Sequence, residues 1–149
     1  MDREKKGQMA TEFFAYSAIF LLALMAISVG ISLVERIELE GRNAAVAREK
    51  VMRIANVIAL VGSGEEGFSY RMNLGGDING IPYRVEVGEG TVRLTVLDGR
   101  NTTYPYPTYS GKIVKSGCIS SEHGLHVIDV NKELLVMNDG KSVVLWQEC

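Results

Sequence analysis

Several things are scarce in this 149-residue sequence, and each scarcity excludes something. The formal net charge is −2, so no basic footprint marks a nucleic-acid surface, which would raise the domain pI above about 9. There is no nucleophile elbow, no phosphate-cradling glycine loop and no paired-carboxylate signature, and an enzyme or a resident cofactor is not expected. No internal repeat or low-complexity tract is visible. Cysteine is limited to Cys118 and Cys149. From Phe13 to Val34 there is neither a formal charge nor a proline. About 20 consecutive apolar residues cover the hydrocarbon core of a bilayer, so this run is long enough to span one.

What precedes the run is unusual. A secretory signal places basic residues first, then the apolar segment, then a small-residue cleavage site. Here Lys5, Lys6 and Gly7 come first, followed by Gln8-Met9-Ala10-Thr11-Glu12, and only then the apolar run. A carboxylate at the mouth of a membrane helix costs a few kcal/mol unless it is paired, neutralised or held at the interface. Two readings of Glu12 stay open. It favours a helix N-terminus through the macrodipole, at under about 1 kcal/mol. Or, if the chain is cut after Gly7, it accepts the freed ammonium of another subunit.

Basic residues, a glycine, Gln-Met-Ala-Thr-Glu-Phe-Phe and an unbroken apolar helix together resemble the class III signal of archaeal type IV pilin precursors. The resemblance implies a prepilin peptidase that cuts after Gly7 on the cytoplasmic side and leaves the apolar helix on the mature protein. Lys5 and Lys6 correspond to the basic flank, Gln8 to the new first residue and Glu12 to the fifth-position glutamate. Ala10 departs from many archaeal relatives, which carry serine there. The family also implies a cytoplasmic assembly ATPase and a membrane platform protein as partners. Once exposed, Gln8 has a competing fate, cyclisation to pyroglutamate, which removes the ammonium that Glu12 would bind.

The flanks set an orientation. Arg3, Lys5 and Lys6 precede the span, whereas Glu35, Arg36, Glu38, Glu40 and Arg42 follow it. By the positive-inside rule the N-terminus is cytoplasmic and the head lies outside. Within the span Ala26-x-x-x-Gly30 and Ser28-x-x-x-Ser32 are spacings that let helices approach closely in lipid. Gly30 is the expected point of bending, given its cost of about 1 kcal/mol relative to alanine.

The helical period continues from Glu35 to about Val61. Ile37, Ala44, Ala47, Val51, Ile54, Ile58 and Val61 recur at three- and four-residue steps on one face. Glu38 with Arg42 and Glu49 with Arg53 form acid-before-base pairs at i, i+4. Gly62-Ser63-Gly64 reads as the stop signal. The period then switches to alternation, clearest in Tyr83-Val85-Val87 and Val92-Leu94-Val96. Strands are predicted over 68–73, 81–87, 91–97, 100–104, 112–115, 125–130, 133–137 and 142–147. Turn signals at Asn79-Gly80, Gly88-Glu89-Gly90, Asp98-Gly99 and Asp139-Gly140 separate several of them. Short connections favour an antiparallel meander. The expected fold is α+β: a long N-terminal helix, membrane-spanning and then amphipathic, packed on a C-terminal antiparallel sheet. The expected divisions are a cleaved signal at 1–7, a filament-core or membrane-anchor helix at 8–34 containing Phe13, Phe14, Ala26 and Gly30, an amphipathic continuation at 35–62, and a β-rich head at 63–149.

In an exported head a disulfide between Cys118 and Cys149 is expected, closing a loop of about 32 residues for roughly 3–4 kcal/mol; the alternative is two separate thiols. Asn101-Thr102-Thr103 fits the N-glycosylation acceptor. Tyr104-Pro105-Tyr106-Pro107-Thr108-Tyr109 places three tyrosines on a stiff extended stretch, either partly exposed for contacts or forming the edge of the core. Cys118, Glu122, His123 and His126 resemble a metal-ligand list, but His-x-x-His suits a helix or a tight turn, and no metal is expected. Asp77-x-Asn79-Gly80 echoes part of a calcium loop without the later bidentate glutamate.

Two function classes follow. In the first the chain is a structural subunit of an archaeal type IV pilus-like surface filament, a homopolymer serving adhesion, which sits in the cytoplasmic membrane before assembly. Minor-pilin and archaellum-like roles are variants of it. In the second the chain keeps its N-terminus and remains a signal-anchored extracellular binding module.

Overall fold

In a computed structural model, residues 12–149 are described in full and residues 2–11 only as part of a helix. The chain divides into two compact units, Met1–Arg42 and Asn43–Cys149. Helix α1 (Asp2–Ser63) contributes to both and continues through Gly30, where bending was expected. Among the described residues, this is the one helix long and apolar enough to cross a membrane.

In the first unit, almost every described side chain is exposed. Phe13, Phe14, Ile19, Phe20, Leu21, Leu22, Met25 and Val29 are each about three-fifths exposed or more. Ser28 and Ser32 turn their hydroxyls back onto the carbonyls of Leu24 and Ser28, at 2.9 and 3.1 Å. A hydroxyl bonded to the preceding turn satisfies itself within its own helix. The expected Glu38–Arg42 ion pair forms, at 2.6 Å and largely exposed. Ile37, assigned by its spacing to the buried stripe, is 70% exposed. The helical period continues through this turn, but no sheet of this unit lies beneath it.

In the second unit the stripe is buried as its spacing requires. Ala47, Val51, Ile54, Ala55, Ile58 and Val61 are at most 2% exposed. They join one core cluster with the inward residues of two sheets. The first sheet runs β1 (Ser69–Asn73), β9 (Glu133–Asn138), β10 (Val143–Gln147), β6 (Ile113–Gly117). The second runs β5 (Thr102–Pro107), β4 (Thr91–Val96), β3 (Ile81–Gly88), β8 (Leu125–Ile128), β7 (Ser120–Glu122), with β2 (Asp77–Ile78) paired to β3. Alternation decides which side chains face in. Leu134 and Val136 of β9, Val143 and Leu145 of β10, Val85 and Val87 of β3 and Val92 and Leu94 of β4 are all fully buried.

A single antiparallel meander is therefore corrected to two sheets, rich in antiparallel pairs but not purely so. Val143 to Gln147 pairs with Ile113 to Gly117 in parallel. Parallel neighbours need a crossover, and here the chain leaves the first sheet after β6, builds β7 and β8 in the second, and returns through β9. Short connections in the sequence read as neighbouring strands, but this one changes sheets. Two short strands, β2 and β7, escape the alternation signal because two or three residues do not establish a period. Tyr104-Pro105-Tyr106-Pro107 extends further as a strand than its prolines suggest. It is an edge, where proline's missing N–H is tolerated.

Turn chemistry fixes the hairpins. Asn79 and Gly80 have φ of 53° and 82°, and His123 and Gly124 have 50° and 80°. Two consecutive left-handed residues are what a two-residue hairpin turn requires. His123 thus belongs to the turn between β7 and β8.

Candidate functional site

The residues with the most specific sequence signal divide between the apolar helix and the closure of the head. Lys5, Lys6, Gly7 and Gln8 lie outside the fully described residues. Glu12 is exposed at the first fully described position of α1, beside Phe13 and Phe14, whose rings meet edge to face at 6.1 Å between centroids. Ala26 and Gly30 are exposed, and no heavy atom outside the local helix backbone lies within 4 Å of where a Cβ on Gly30 would sit. The first unit thus carries an apolar surface that its own described residues leave uncovered.

In the head, Cys118 and Cys149 form a disulfide with their Cα atoms 5.0 Å apart and a sequence separation of 31. Several further contacts hold the same corner. Buried Gln147 accepts the Asp129 N–H at 2.9 Å through Oε1 and donates to the Asp129 carbonyl at 2.8 Å through Nε2. The Cys118 N–H donates to the Gln147 carbonyl at 3.1 Å. Lys132 Nζ donates to the carbonyls of Glu148 and Cys149 at 3.0 and 3.1 Å. Gly117, with φ of 71°, lies so close that an added Cβ would sit 2.0 Å from the Gln147 carbonyl oxygen. Only glycine fits there. The disulfide therefore joins parts of the chain that folding already places together.

Close to this corner, Lys50 and Tyr83 clasp the loop after β1 to the helix. Tyr83 Oη lies 2.6 Å from the carbonyls of both Leu74 and Gly75. Lys50 Nζ donates to the carbonyls of Leu74 and Asp77 at 2.9 and 3.0 Å and sits 4.8 Å from the Tyr83 ring centroid. Burial holds the Lys50 pKa below its ordinary value, against the opposing charge of Asp77. Burial, with the Asp77 charge second, pushes the Tyr83 hydroxyl up to about 12. The residues of the calcium-loop echo take part in the same contacts. The Asp77 carbonyl accepts from Lys50, and Asp77 Oδ1 accepts the Gly80 N–H at 3.0 Å.

The other expected sites are placed as follows. Asn101 is exposed in the loop before β5 with φ of 54°, accessible to a modifying enzyme. Of the would-be metal ligands, Cys118 is oxidised onto Cys149. His126 has Nδ1 3.0 Å from Ser121 Oγ and Nε2 3.3 Å from the Ile113 carbonyl, so both ring nitrogens are engaged. Tyr104, Tyr106 and Tyr109 are half-buried and packed against the core. Arg48 lies 6.0 Å from the Tyr104 ring centroid, above a groove of about 710 Å³ between α1 and β5.

Sequence reasoning missed the residues that lock the helix to the sheets. Thr108 Oγ1 donates to the Ala55 carbonyl at 2.7 Å. The Asn138 amide donates to the carbonyls of Val61 and Gly64 at 3.1 and 2.9 Å, satisfying acceptors that a helix C-terminus leaves open. The Gly62-Ser63-Gly64 signal ends the helix as expected, with α1 closing at Ser63, and Gly62 has a second role there. A Cβ there would stand 2.5 Å from the Tyr109 ring, and one on Gly111 would stand 2.4 Å from the same ring. The glycine makes room for an aromatic from far along the chain, which no local pattern announces.

The chain matches no known protein family, no curated protein and no solved structure in the comparisons made.

Proposed function

We propose that this chain is a structural subunit of an archaeal type IV pilus-like surface filament, cut after Gly7 and polymerised through its N-terminal helix. The observation that carries the reading is a contrast between the two units. The head buries its apolar stripe completely, with Val51, Ile54, Ala55, Ile58 and Val61 at most 2% exposed. From Phe13 to Val34 the same helix leaves its large apolar side chains in the open. Such a surface needs a lipid bilayer or copies of itself, and the segment that introduces it has the features of a class III processing signal. In a filament without lipid these helices must bury one another, at about 25 cal/mol per Å² of apolar surface. A disulfide-closed head suits an extracellular setting. The long helix packed on antiparallel-rich sheets agrees with a pilin-like layout, and adhesion is the role proposed for the filament.

The partners on this reading are the prepilin peptidase, the assembly ATPase and platform protein, and further copies of the chain. N-terminal sequencing and intact mass of the surface-exposed protein test it. A mature chain starting at Gln8, free or cyclised, is the expected result. A chain retaining Met1 would instead favour a signal-anchored binding module.

A further inference from the structure

The sheets end in strands of unequal character, and β5 is chemically the most unusual. Its hydrogen-bonding phase follows from its last turn, where Thr108 N–H donates to the Gly90 carbonyl at 3.2 Å. The Gly90 N–H donates to the Tyr109 carbonyl at 2.9 Å, so Thr108 and Tyr109 together oppose Gly90 in a bulge at a hydrogen-bonded position of the ladder. In an antiparallel ladder hydrogen-bonded pairs alternate with non-bonded ones. Counting back along the register, Val92–Tyr106, Leu94–Tyr104 and Val96–Thr102 are the pairs that exchange hydrogen bonds. Thr103, Pro105 and Pro107 then direct their backbone groups away from β4, toward the free edge. Two of those three positions have no N–H at all.

We propose that Pro105 and Pro107 seal this edge against strand addition, so that neither a second copy of the chain nor an extended peptide continues the sheet at β5. An edge strand normally offers a row of donors and acceptors as a template for pairing. Here Thr103 supplies the single outward donor, while all three residues keep outward carbonyls. An added antiparallel strand loses two of the six hydrogen bonds that these three positions would otherwise offer, and must fit the proline rings where the missing N–H groups would point. Thr102, Thr103, Pro105 and Pro107 are exposed, so the side chains do not shield the edge. The groove beside it, lined by Ala45, Met52, Tyr104 and Pro105 among others, is open and mostly apolar. Without the prolines this would be an apolar, five- to six-residue template of the kind that drives edge-to-edge association. By contrast, β1 carries no proline and has Arg71 at the middle of its five residues, a charge that discourages pairing with its own copy. The proposal does not depend on the filament reading, because it concerns the head alone.

The test uses the full chain in detergent micelles, with Pro105→Val and Pro107→Val combined. Sedimentation and light scattering report association, amide-I infrared spectra report intermolecular strand pairing, and Trp146 fluorescence during unfolding reports whether the head is folded. The double variant is expected to unfold cooperatively and to form concentration-dependent oligomers with an intermolecular β signal, while the wild type at the same concentration shows neither. Adding Thr103→Lys, a charge on the reopened edge, is expected to return it to the wild-type mass. A folded double variant with wild-type mass overturns the proposal. So does association that Thr103→Lys fails to reverse, or association accompanied by loss of cooperative unfolding, since unfolded chains aggregate without a strand edge.

Discussion

The Tyr83 clasp makes a quantitative prediction about alkaline stability. Tyr83 is 3% exposed, and its hydroxyl, pushed up to about 12, serves the carbonyls of Leu74 and Gly75. The phenol is neutral in the fold and ionises more easily in the unfolded chain, where its ordinary value is 10.0. Its contribution is therefore fully present below pH 10.0 and lost as pH rises from there to about 12. The whole effect is on the order of 3 kcal/mol, of which roughly half is lost between about pH 9 and pH 11. The lowered Lys50 pKa acts with the opposite sign, since deprotonation relieves the cost of its partly buried charge. The comparison with Tyr83→Phe separates these terms. The variant loses about 1–3 kcal/mol at neutral pH because buried carbonyls lose a donor, but it has no phenol to ionise. Guanidinium unfolding of both full-length proteins in detergent, followed by Trp146 fluorescence at the two pH values, gives the double difference. The gap between them should narrow by on the order of 1 kcal/mol at the higher pH. Parallel behaviour would show that Tyr83 ionises as in water and would refute the buried clasp.

Further predictions concern other parts of the chain. Glu12→Ala is expected to insert in the membrane normally yet yield few or no surface filaments by electron microscopy; wild-type numbers would remove Glu12 from assembly. Replacing Cys118 and Cys149 with serine should lower the stability of the head by roughly 3–4 kcal/mol in denaturant titration, from the entropy of the reopened loop, and an unchanged midpoint would contradict this. Gly117→Ala places a Cβ 2.0 Å from the Gln147 carbonyl oxygen at a φ of 71°, and should cost at least about 2 kcal/mol in the same assay. The backbone N–H groups of Lys141 and Ser142 hold the Asp139 carboxyl below its ordinary value. Its stabilisation is thus present above pH 3.8 and fades as pH falls through the depressed folded value. An NMR titration of Asp139 should give a midpoint below 3.8.

These perturbations act on two sets of contacts. Cys118–Cys149 and Gly117 act at one corner of the head, where Gln147 and Lys132 also bind backbone groups. Tyr83 and Lys50 act at the loop between β1 and β2. The two groups are neighbours, since Val85 pairs with Ile128 and Gly76 lies against Asn131, so their effects on stability are expected to couple rather than add.

What the sequence determined by itself was whatever depends on a local period or on a residue's own chemistry. The uncharged run from Phe13 to Val34, the stripe from Ala47 to Val61 and the alternation of Val85-Val87 and Val92-Leu94 dictate helix and strand because one face must leave water. Asn79-Gly80 forms its hairpin because both positions need left-handed backbone. Tertiary structure decided the matters that a period cannot encode. Nothing local distinguishes one sheet from two, or shows that β10 runs parallel to β6, because the β6–β7 connection changes sheets. Ile37 continues the periodic stripe yet is exposed, since burial requires a partner surface and periodicity only supplies a face. Gly62 belongs to the helix stop that its sequence signals and is also a seat for Tyr109, a role that no local pattern announces because the ring comes from a distant part of the chain. Lys50 looks like one more surface charge until Leu74, Asp77 and Tyr83 fold around its ammonium.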